Sequence, residues 1–226
     1  MPGYTNLQGR TNLCARCAQP LPSGSAPSGP LSSLCGRCRG ERTRVLGAVR
    51  ALLTKPDVLI LDTETTGLKG AEVIEVALID TQGRTRLETL VRPKAQMMNP
   101  HAQRVHGLSL NDLRDQPTWP EVLPELVRIA GDATILAWNA PFDARMLEQT
   151  SACWGLPHPK LLFVCAMRLY ARLHGRSSFG LHKAVVAEGL DDLLTRHASH
   201  RALGDVIFVL ELLKHVTESE RAENSR

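Results

Sequence analysis

Three short motifs rich in acidic residues constrain most strongly what this chain can fold into. The first, DTETTG, begins at Asp62 directly after an apolar run and contains Glu64. The second, NAPFD, ends at Asp143, and the third, HRALGD, begins at His200 and ends at Asp205. Four acids and one imidazole are the side chains that two-metal hydrolysis of a phosphodiester requires. Each motif alone is weak evidence, but all three in this order indicate a fold that brings them into one site.

The first motif is predicted to place two carboxylates side by side. Residues 58–61 form a short apolar run typical of a buried strand, and residues two apart on a strand point to the same face. Asp62 and Glu64 would repel each other there unless a cation lies between them, and oxygen ligands favour Mg²⁺ or Mn²⁺. A solvated strand end is the alternative, but it does not explain an acid pair that ends a buried strand before a Thr-Thr-Gly turn.

Apolar periodicity along the rest of the chain predicts an α/β architecture. Strands are predicted at residues 58–61, 72–80, 85–91, 134–138 and 161–165, and helices at 120–130, from the second motif to about 153, at 166–173, 180–188 and 202–216. The Asn99-Pro100 pair predicts a further helix start. Three successive strands followed by alternating helices and strands indicate a mixed sheet flanked by helices. The polar residues 217–226 are predicted to fray.

The N-terminal segment differs from the rest of the chain in charge. Residues 1–55 carry eight Lys and Arg against a single acid, Glu41, whereas residues 56–226 carry 19 Lys and Arg against 22 acids. This basic appendage favours a polyanionic partner such as nucleic acid. A coding bias toward Arg, which accounts for 21 of the 27 basic residues, would leave the same imprint. Because no apolar run approaches the ~20 residues of a membrane span and the N-terminus lacks a signal-peptide core, we expect a cytoplasmic location.

Four of the six cysteines form two CxxC pairs that predict a structural zinc site. Seventeen residues separate the pairs, and this spacing lets four thiolates surround one Zn²⁺ ion. Two disulfides are the alternative, which a reducing cytosol disfavours. The four predicted zinc ligands are Cys14, Cys17, Cys35 and Cys38. The other two cysteines, Cys153 and Cys165, are predicted to be buried thiols.

A helix is predicted between the zinc site and the first strand, because apolar residues recur at helical spacing until Pro56. Its apolar face is expected to dock on the catalytic body or on its own finger, and consists of Val45, Leu46, Val49, Leu52 and Leu53. The chain is therefore expected to divide into a zinc finger with its connecting helix (1–55), a catalytic domain (56–216) and a polar tail (217–226). The Pro-, Gly- and Ser-rich residues 19–33 are predicted to form a loop between the cysteine pairs.

The three motifs resemble those of the DEDDh exonucleases, the DnaQ-like group that includes the proofreading subunit of bacterial replicative polymerase, ribonuclease T and oligoribonuclease. The resemblance covers residues 58–216 and leaves the zinc finger outside. It implies an RNase H-like fold with a mixed five-stranded sheet whose second strand is antiparallel. It also implies metal-dependent hydrolysis of single-stranded ends in the 3′→5′ direction, which releases nucleoside 5′-monophosphates.

Residue by residue, the resemblance implies a role for each motif. The acids that match the ligands of two Mg²⁺ or Mn²⁺ ions are Asp62, Glu64, Asp143 and Asp205. His200 matches the general base, and its spacing to Asp205 distinguishes it from the neighbouring His197. The physical chemistry agrees, since an imidazole with an unperturbed pKa of ~6.5 can accept a proton near neutral pH.

Four further residues match positions around the terminal nucleotide. Thr65 and Leu68 correspond to positions that contact the sugar and base, His106 lies in a His-Gly element, and Phe142 could line the same pocket. The simpler alternatives are that Leu68 and Phe142 belong to the core and that His106 ends a helix.

The leading interpretation is a free-standing 3′→5′ exonuclease that acts on single-stranded DNA in repair or editing. The basic zinc finger would grip nucleic acid or recruit a protein partner. The alternatives are an RNA exonuclease like oligoribonuclease or ribonuclease T, a polymerase proofreading subunit, which the short tail disfavours, and a non-catalytic nucleic-acid-binding protein, which the intact set of acids disfavours. The choice between DNA and RNA depends on contacts to the 2′-OH, which no motif reveals.

Overall fold

The structure is a computed structural model that describes residues 13–19, 21 and 33–224, with side chains described as far as residue 219. Most of the predicted loop between the cysteine pairs, and the part of the predicted finger before residue 13, lie outside the described residues. Among the helices that are described, none is long and apolar enough to cross a membrane.

A five-stranded mixed sheet forms the centre of the described part of the chain. Its strands are β1 (Val58–Thr65), β2 (Val73–Asp80), β3 (Thr85–Leu90), β4 (Thr134–Ala137) and β5 (Leu162–Cys165). They lie in the order β3-β2-β1-β4-β5. Strand β2 is antiparallel to β1 and to β3, whereas β4 is parallel to β1 and to β5. The predicted mixed sheet with an antiparallel second strand is confirmed.

The described residues form eight helices around this sheet. They are α1 (Gly36–Thr54), α2 (Pro100–His106), α3 (Trp119–Ala130), α4 (Ala140–Cys153), α5 (Ala166–Leu173), α6 (Leu181–Ala187), α7 (Asp191–Arg196) and α8 (Ala202–Asn224). The predicted start of α2 is confirmed, because the Asn99 side chain accepts a hydrogen bond from the backbone N–H of His101 at 2.8 Å. Such a side chain satisfies a donor that the helix itself leaves unpaired.

Strand β1 separates two hydrophobic layers. Ile60 packs in a layer that contains residues of α1, α5, α6 and α8, whereas Leu61 packs against α3 and α4 on the other side of the sheet. Because side chains alternate along a strand, Asp62 and Glu64 continue the face of Ile60, toward α8. The sheet thus directs both acids to the side on which the third motif lies.

Strand β1 extends beyond the apolar run that predicted it. Antiparallel pairing with β2 continues through Asp62, which lies opposite Ala77, and through Glu64, which lies opposite Glu75. Strand β2 is buried along its whole length, so its backbone keeps β1 extended although the side chains of β1 become polar. The expectation that the two acids share one strand face is confirmed.

The connecting helix α1 is part of the core. Val45, Leu46 and Val49 are buried in the layer that also holds residues of α5 and α8. Near the other end of the helix, Arg50 donates a hydrogen bond to the carbonyl of Thr217 on α8 at 2.8 Å. Of the two surfaces expected for this apolar face, the larger domain is the one that the structure shows.

Two local predictions are wrong, and one helix was not predicted. Helix α8 continues to Asn224 instead of ending near Val216, so the predicted tail is helical in its described part. Helix α7 was not predicted, because its six residues are too few to show a period. Cys153, the last residue of α4, is exposed, and Cys165, the last residue of β5, is half-buried, so the expectation of two buried thiols is wrong.

Candidate active site and metal centres

Three carboxylates meet where β1 passes the start of α8. Asp62 and Glu64 lie on the strand, and Asp205 lies in the first turn of the helix. One carboxylate oxygen from each residue lies within 4.8 Å of the other two. The structure therefore brings together the first and the third motif, as the sequence predicts.

Asp143 approaches the same site from the first turn of α4. Its side chain is buried, and its Oδ1 accepts a hydrogen bond from the Thr63 hydroxyl at 3.0 Å. Thr63 lies between the two acids of β1, so this bond ties the second motif to the first. Asp143 is outside the group of three within 4.8 Å, but its charge raises the pKa values of Asp62 and Glu64, which indicates a nearby carboxylate.

Burial and mutual repulsion raise the pKa values of these acids. The pKa of Asp62 lies well above its ordinary value, first because the carboxyl is buried and then because Asp143, Asp205 and Glu64 carry like charges. Burial first, and then the charges of neighbouring acids, raise the pKa of Glu64 to about 9. Burial raises the pKa of Asp143 to about 7. A divalent cation would relieve this repulsion, and the all-oxygen ligand set fits Mg²⁺ or Mn²⁺.

His200 lies beside the acids in a constrained loop. Its φ angle is 56°, a left-handed conformation that is uncommon for residues other than glycine. Its backbone N–H donates to Asp205 Oδ1 at 3.3 Å. Burial, and then the charge of His182, lower the pKa of the ring, whereas the charge of Asp205 opposes them. The loop packs tightly on the helix start, because a Cβ atom at Gly204 would clash with the carbonyl of Ala198.

Glu75 is a buried acid that the motifs did not reveal. It lies opposite Glu64 on β2 and forms a two-pronged ion pair with Arg201, whose closest distance is 2.7 Å. Its Oε2 also accepts a hydrogen bond from the backbone N–H of Ala202 at 3.1 Å. These contacts hold the start of α8 on the sheet and so position His200. The available sequence signal was the position of Glu75, which is the single charge among the otherwise apolar residues 73–79.

His182 is a second side chain that sequence reasoning missed. It lies in the first turn of α6, and its Nε2 is 3.2 Å from Asp205 Oδ1. Its ring meets the ring of His200 edge to face, with 4.3 Å between the centroids. No spacing in the sequence relates His182 to the HRALGD motif, so only the packing of α6 on α8 reveals it.

The four residues predicted to bind nucleotide lie in different environments. Thr65 is buried and donates to the Gly67 carbonyl at 2.6 Å, and Leu68 is 68% exposed. Phe142 is half-buried and packs against the α3–α4 layer. His106 is buried, burial lowers the pKa of its ring, and its Nδ1 accepts from the backbone N–H of Leu108 at 3.0 Å. The alternative that Leu68 and Phe142 are core residues therefore holds in part for the half-buried Phe142 and does not hold for the exposed Leu68.

The four paired cysteines form a second cluster of metal ligands. Their sulfur atoms all lie within 4.8 Å of one another, and all six cysteines of the chain, each in a described position, are free thiols. The backbone N–H of Cys35 donates to the sulfur of Cys14 at 3.3 Å and is the main cause that lowers the pKa of Cys14 to about 6. Burial raises the pKa of Cys38 to about 12. A tetrahedral Zn²⁺ ion suits four such thiols, which can thus form a zinc-binding module.

Arg16 attaches this cysteine cluster to the catalytic body. The guanidinium donates to the carbonyl of Cys38 at 3.1 Å and to the carbonyl of Arg172 at the end of α5. It also forms an ion pair with Glu41 at 3.3 Å. A Cβ atom at Gly175 would clash with the Arg16 side chain, so glycine permits this close approach. The contact joins the residues before α1 to the end of α5.

The sequence matches a family of nucleases. The model of the family described as exonuclease, of the ribonuclease T type, matches residues 59–213. An uncharacterised exonuclease of Escherichia phage 186 is 30% identical over 168 residues, which are 70% of this chain and 86% of the phage protein.

Solved structures share the fold. Exonuclease X in complex with 5′-overhanging duplex DNA gives a TM-score of 0.56 at 26% identity, and the match covers 72% of this chain and 92% of that chain. The nuclease domain of 3′hExo, a DEDDh family member bound to rAMP, gives a TM-score of 0.57 at 17% identity and covers 71% of this chain and 92% of that chain.

Proposed function

The chain belongs to the exonuclease family of the ribonuclease T type, and from this membership we propose that it hydrolyses single-stranded DNA in the 3′→5′ direction and releases nucleoside 5′-monophosphates. Membership of this family indicates that the chain is a nuclease, which is a hydrolase of phosphodiester bonds. The polarity, the DNA substrate, the two-metal mechanism and a role in repair or editing are the further content of the proposal.

The observation that carries the proposal is the gathering of carboxylates beside a histidine. The oxygens of Asp62, Glu64 and Asp205 lie within 4.8 Å of one another, and Asp143 is held nearby through Thr63. Such a set of partly buried, mutually repelling acids is costly for a fold unless it binds cations. A structural role alone does not account for this arrangement.

Each residue has a role that its position supports. The four acids, Asp62, Glu64, Asp143 and Asp205, would hold two Mg²⁺ or Mn²⁺ ions. Such ions, when bound, supply a nucleophile at neutral pH and stabilise the charge on the attacking and leaving oxygens. His200 would accept the proton of the attacking water, and burial and then the charge of His182 lower the pKa of its ring, which favours the form that can accept a proton. Its backbone bond to Asp205 keeps the base beside the acids.

The terminal nucleotide is expected to bind between the end of β1 and the start of α4. Leu68 is exposed beside a groove that Met97 and Asn99 also line, so it can pack against a base. Phe142 can contact the same nucleotide from α4. Thr65 and His106 are buried, so we expect them to support the residues that line the pocket and not to contact the nucleotide themselves.

A DNA substrate is favoured over RNA by one comparison. Exonuclease X, at 26% identity, is described in complex with DNA. RNA remains the alternative substrate. A protein distinguishes RNA from DNA through contacts to the 2′-OH, and no such contact is assigned to any of the predicted site residues.

Matched oligonucleotides test the proposal. DNA and RNA strands labelled at the 3′ or the 5′ end are incubated with the full chain and Mn²⁺. We expect early release of labelled mononucleotide from 3′-labelled DNA and a shortening ladder from 5′-labelled DNA, both abolished by His200→Ala and retained in the control His197→Ala. Mononucleotide release from the 5′ label would contradict the polarity, and faster cleavage of RNA would contradict the DNA preference.

We also propose that the four cysteines hold one structural Zn²⁺ ion and that the basic surface beside them grips nucleic acid. Deleting residues 1–55 would remove α1 from the core, so a charge substitution is the cleaner test. Arg37 is exposed on the first turn of α1. Arg37→Gln should weaken single-strand binding and reduce the slope of log affinity against log salt by ~1. An unchanged slope would favour recruitment of a protein partner.

A further inference from the structure

Two imidazoles and one carboxylate form a second ligand set at the edge of the acid cluster. One ligand atom from each of His182, His200 and Asp205 lies within 4.8 Å of the other two. The side chain of His182 is 27% exposed, so solvent reaches the set. Asp205 belongs to this set and also to the oxygen set with Asp62 and Glu64.

The chemistry of the two sets differs. Mg²⁺ and Mn²⁺ favour oxygen, whereas Zn²⁺ binds imidazole nitrogen at 2.0–2.1 Å and binds most donor sets more tightly than Mg²⁺ or Mn²⁺ does. Two histidines and one acid with an open fourth position are a ligand set that Zn²⁺ accepts in proteins. We propose that His182, His200 and Asp205 bind a Zn²⁺ ion, distinct from the ion of the four cysteines, and that this ion inhibits the exonuclease.

Inhibition follows from the shared residues. A Zn²⁺ ion on the His200 ring occupies the lone pair that would accept a proton, and the same ion draws Asp205 away from the oxygen set. Zinc binding itself needs no assumption about catalysis, whereas the inhibition rests on the proposed roles of His200 and Asp205. Zinc binding at this set depends on the His182 side chain, because without it only two of the three ligands remain.

Calorimetric titration with Zn²⁺ tests the binding. The full chain, with its cysteine site already filled, is titrated in buffer with excess Mg²⁺, so that Mg²⁺ occupies the oxygen set. We expect one additional equivalent of Zn²⁺ in the wild type and an affinity lower by about tenfold or more in His182→Asn. His197→Asn is the matched control, because His197 packs on Phe208 as His182 does but lies outside the ligand set, and it should bind as the wild type does.

The nuclease assay tests the inhibition separately. Zn²⁺ is added in the presence of Mg²⁺, and each variant is normalised to its own rate without added Zn²⁺. His182→Asn should need about tenfold more Zn²⁺ for half inhibition, and His197→Asn should not differ from the wild type. Equal zinc affinity in the wild type and His182→Asn would overturn the proposal, since the ion would then lie on the acids. A wild type without nuclease activity that still binds the second Zn²⁺ would overturn the proposed function instead.

Discussion

The two clusters of metal ligands in this molecule are assembled in opposite ways. The four cysteines lie between residues 14 and 38, and two of them flank the start of α1. The acids come from β1, α4 and α8, between residues 62 and 205. Local folding can therefore form the sulfur cluster, whereas the oxygen cluster requires the whole sheet and two of its helices to be packed.

The difference in ligand chemistry matches the difference in assembly. The sulfur cluster would fill all four positions of a tetrahedral ion and leave none for a substrate, as is typical of structural sites. The oxygen cluster concentrates like charges that raise the pKa values of Asp62 and Glu64. One cluster would stabilise the fold, whereas the other costs stability and can serve chemistry. Four predictions test this contrast, from the largest effect to the smallest.

Asp62→Asn should abolish activity without harming the fold. The amide keeps the shape of the side chain but removes a charge from the cation site, so kcat should fall by a factor on the order of 10³. The thermal midpoint should not fall, because one repelling carboxylate is gone. Turnover of a 5′-labelled oligonucleotide in Mn²⁺ and thermal unfolding measure the two effects. Activity above a tenth of the wild type would contradict the role of Asp62, and an unchanged zinc content is the control.

Glu75→Gln should lower activity through its effect on the position of His200. The substitution breaks the ion pair with Arg201 and weakens the hydrogen bond to Ala202, so we expect kcat to fall about 10–100-fold. The loss should appear in kcat more than in KM, because Glu75 is buried and paired with Arg201. The matched control is Glu125→Gln, which breaks an exposed ion pair with Arg128 and should leave kcat unchanged. Equal kinetics for the two variants would contradict a positioning role.

Cys17→Ser should affect stability more than chemistry. Removing one of four ligands should empty the zinc site, and metal analysis should find less than one Zn²⁺ per chain. Unfolding should then occur several degrees lower, since ~1 kcal/mol corresponds to about 2–4 °C for a chain of this size. The fall in kcat should remain far smaller than that of Asp62→Asn. An unchanged thermal midpoint would show that the cluster does not contribute to the fold.

The metal-free protein should lose stability as the pH rises. The carboxyl of Glu64 titrates near 4.5 when unfolded and at about 9 when folded. Between these values the folded state holds a proton that the unfolded chain has released, so the free energy of unfolding falls with rising pH. Without added Mg²⁺ or Mn²⁺, the thermal midpoint should be a few degrees lower at pH 8.5 than at pH 5.5.

Mn²⁺ should reverse this loss at pH 8.5 and have a smaller effect at pH 5.5, where Glu64 still holds its proton in the folded state. Glu64→Gln should flatten the dependence of the midpoint on pH in the metal-free protein. A midpoint that rises with pH in the wild type would show that the acids do not repel one another in the folded state.

Part of the fold could be predicted because it has local causes. Residues with a clear apolar period, such as Val206 and Leu210 on α8, marked their helix correctly, and the Asn99 cap marked the start of α2. Helix α7 has too few residues to show a period, and the polar end of α8 has no apolar face that would reveal it. Neither element has a local signal in the sequence.

Part of the candidate site could be predicted for the same reason. Asp62 and Glu64 lie in one short motif, and HRALGD joins His200 to Asp205. Glu75 and His182 were not predicted because each contacts a residue far away in the chain. Glu75 on β2 forms an ion pair with Arg201, which precedes α8, and His182 on α6 contacts Asp205 on α8. Neither contact leaves a spacing that a sequence motif could record.

The sequence by itself determined which ligands are present, since side-chain chemistry and short spacings do not depend on folding: oxygen donors for one cluster and sulfur donors for the other. Only the tertiary structure decided that His182 lies against His200, that Glu75 anchors the start of α8, and that α1 packs on the sheet side of the chain and not on its own finger alone. The physical reason is that these contacts join segments far apart in the chain, and their geometry is set by the register of β1 on β2 and by the packing of helices on the sheet.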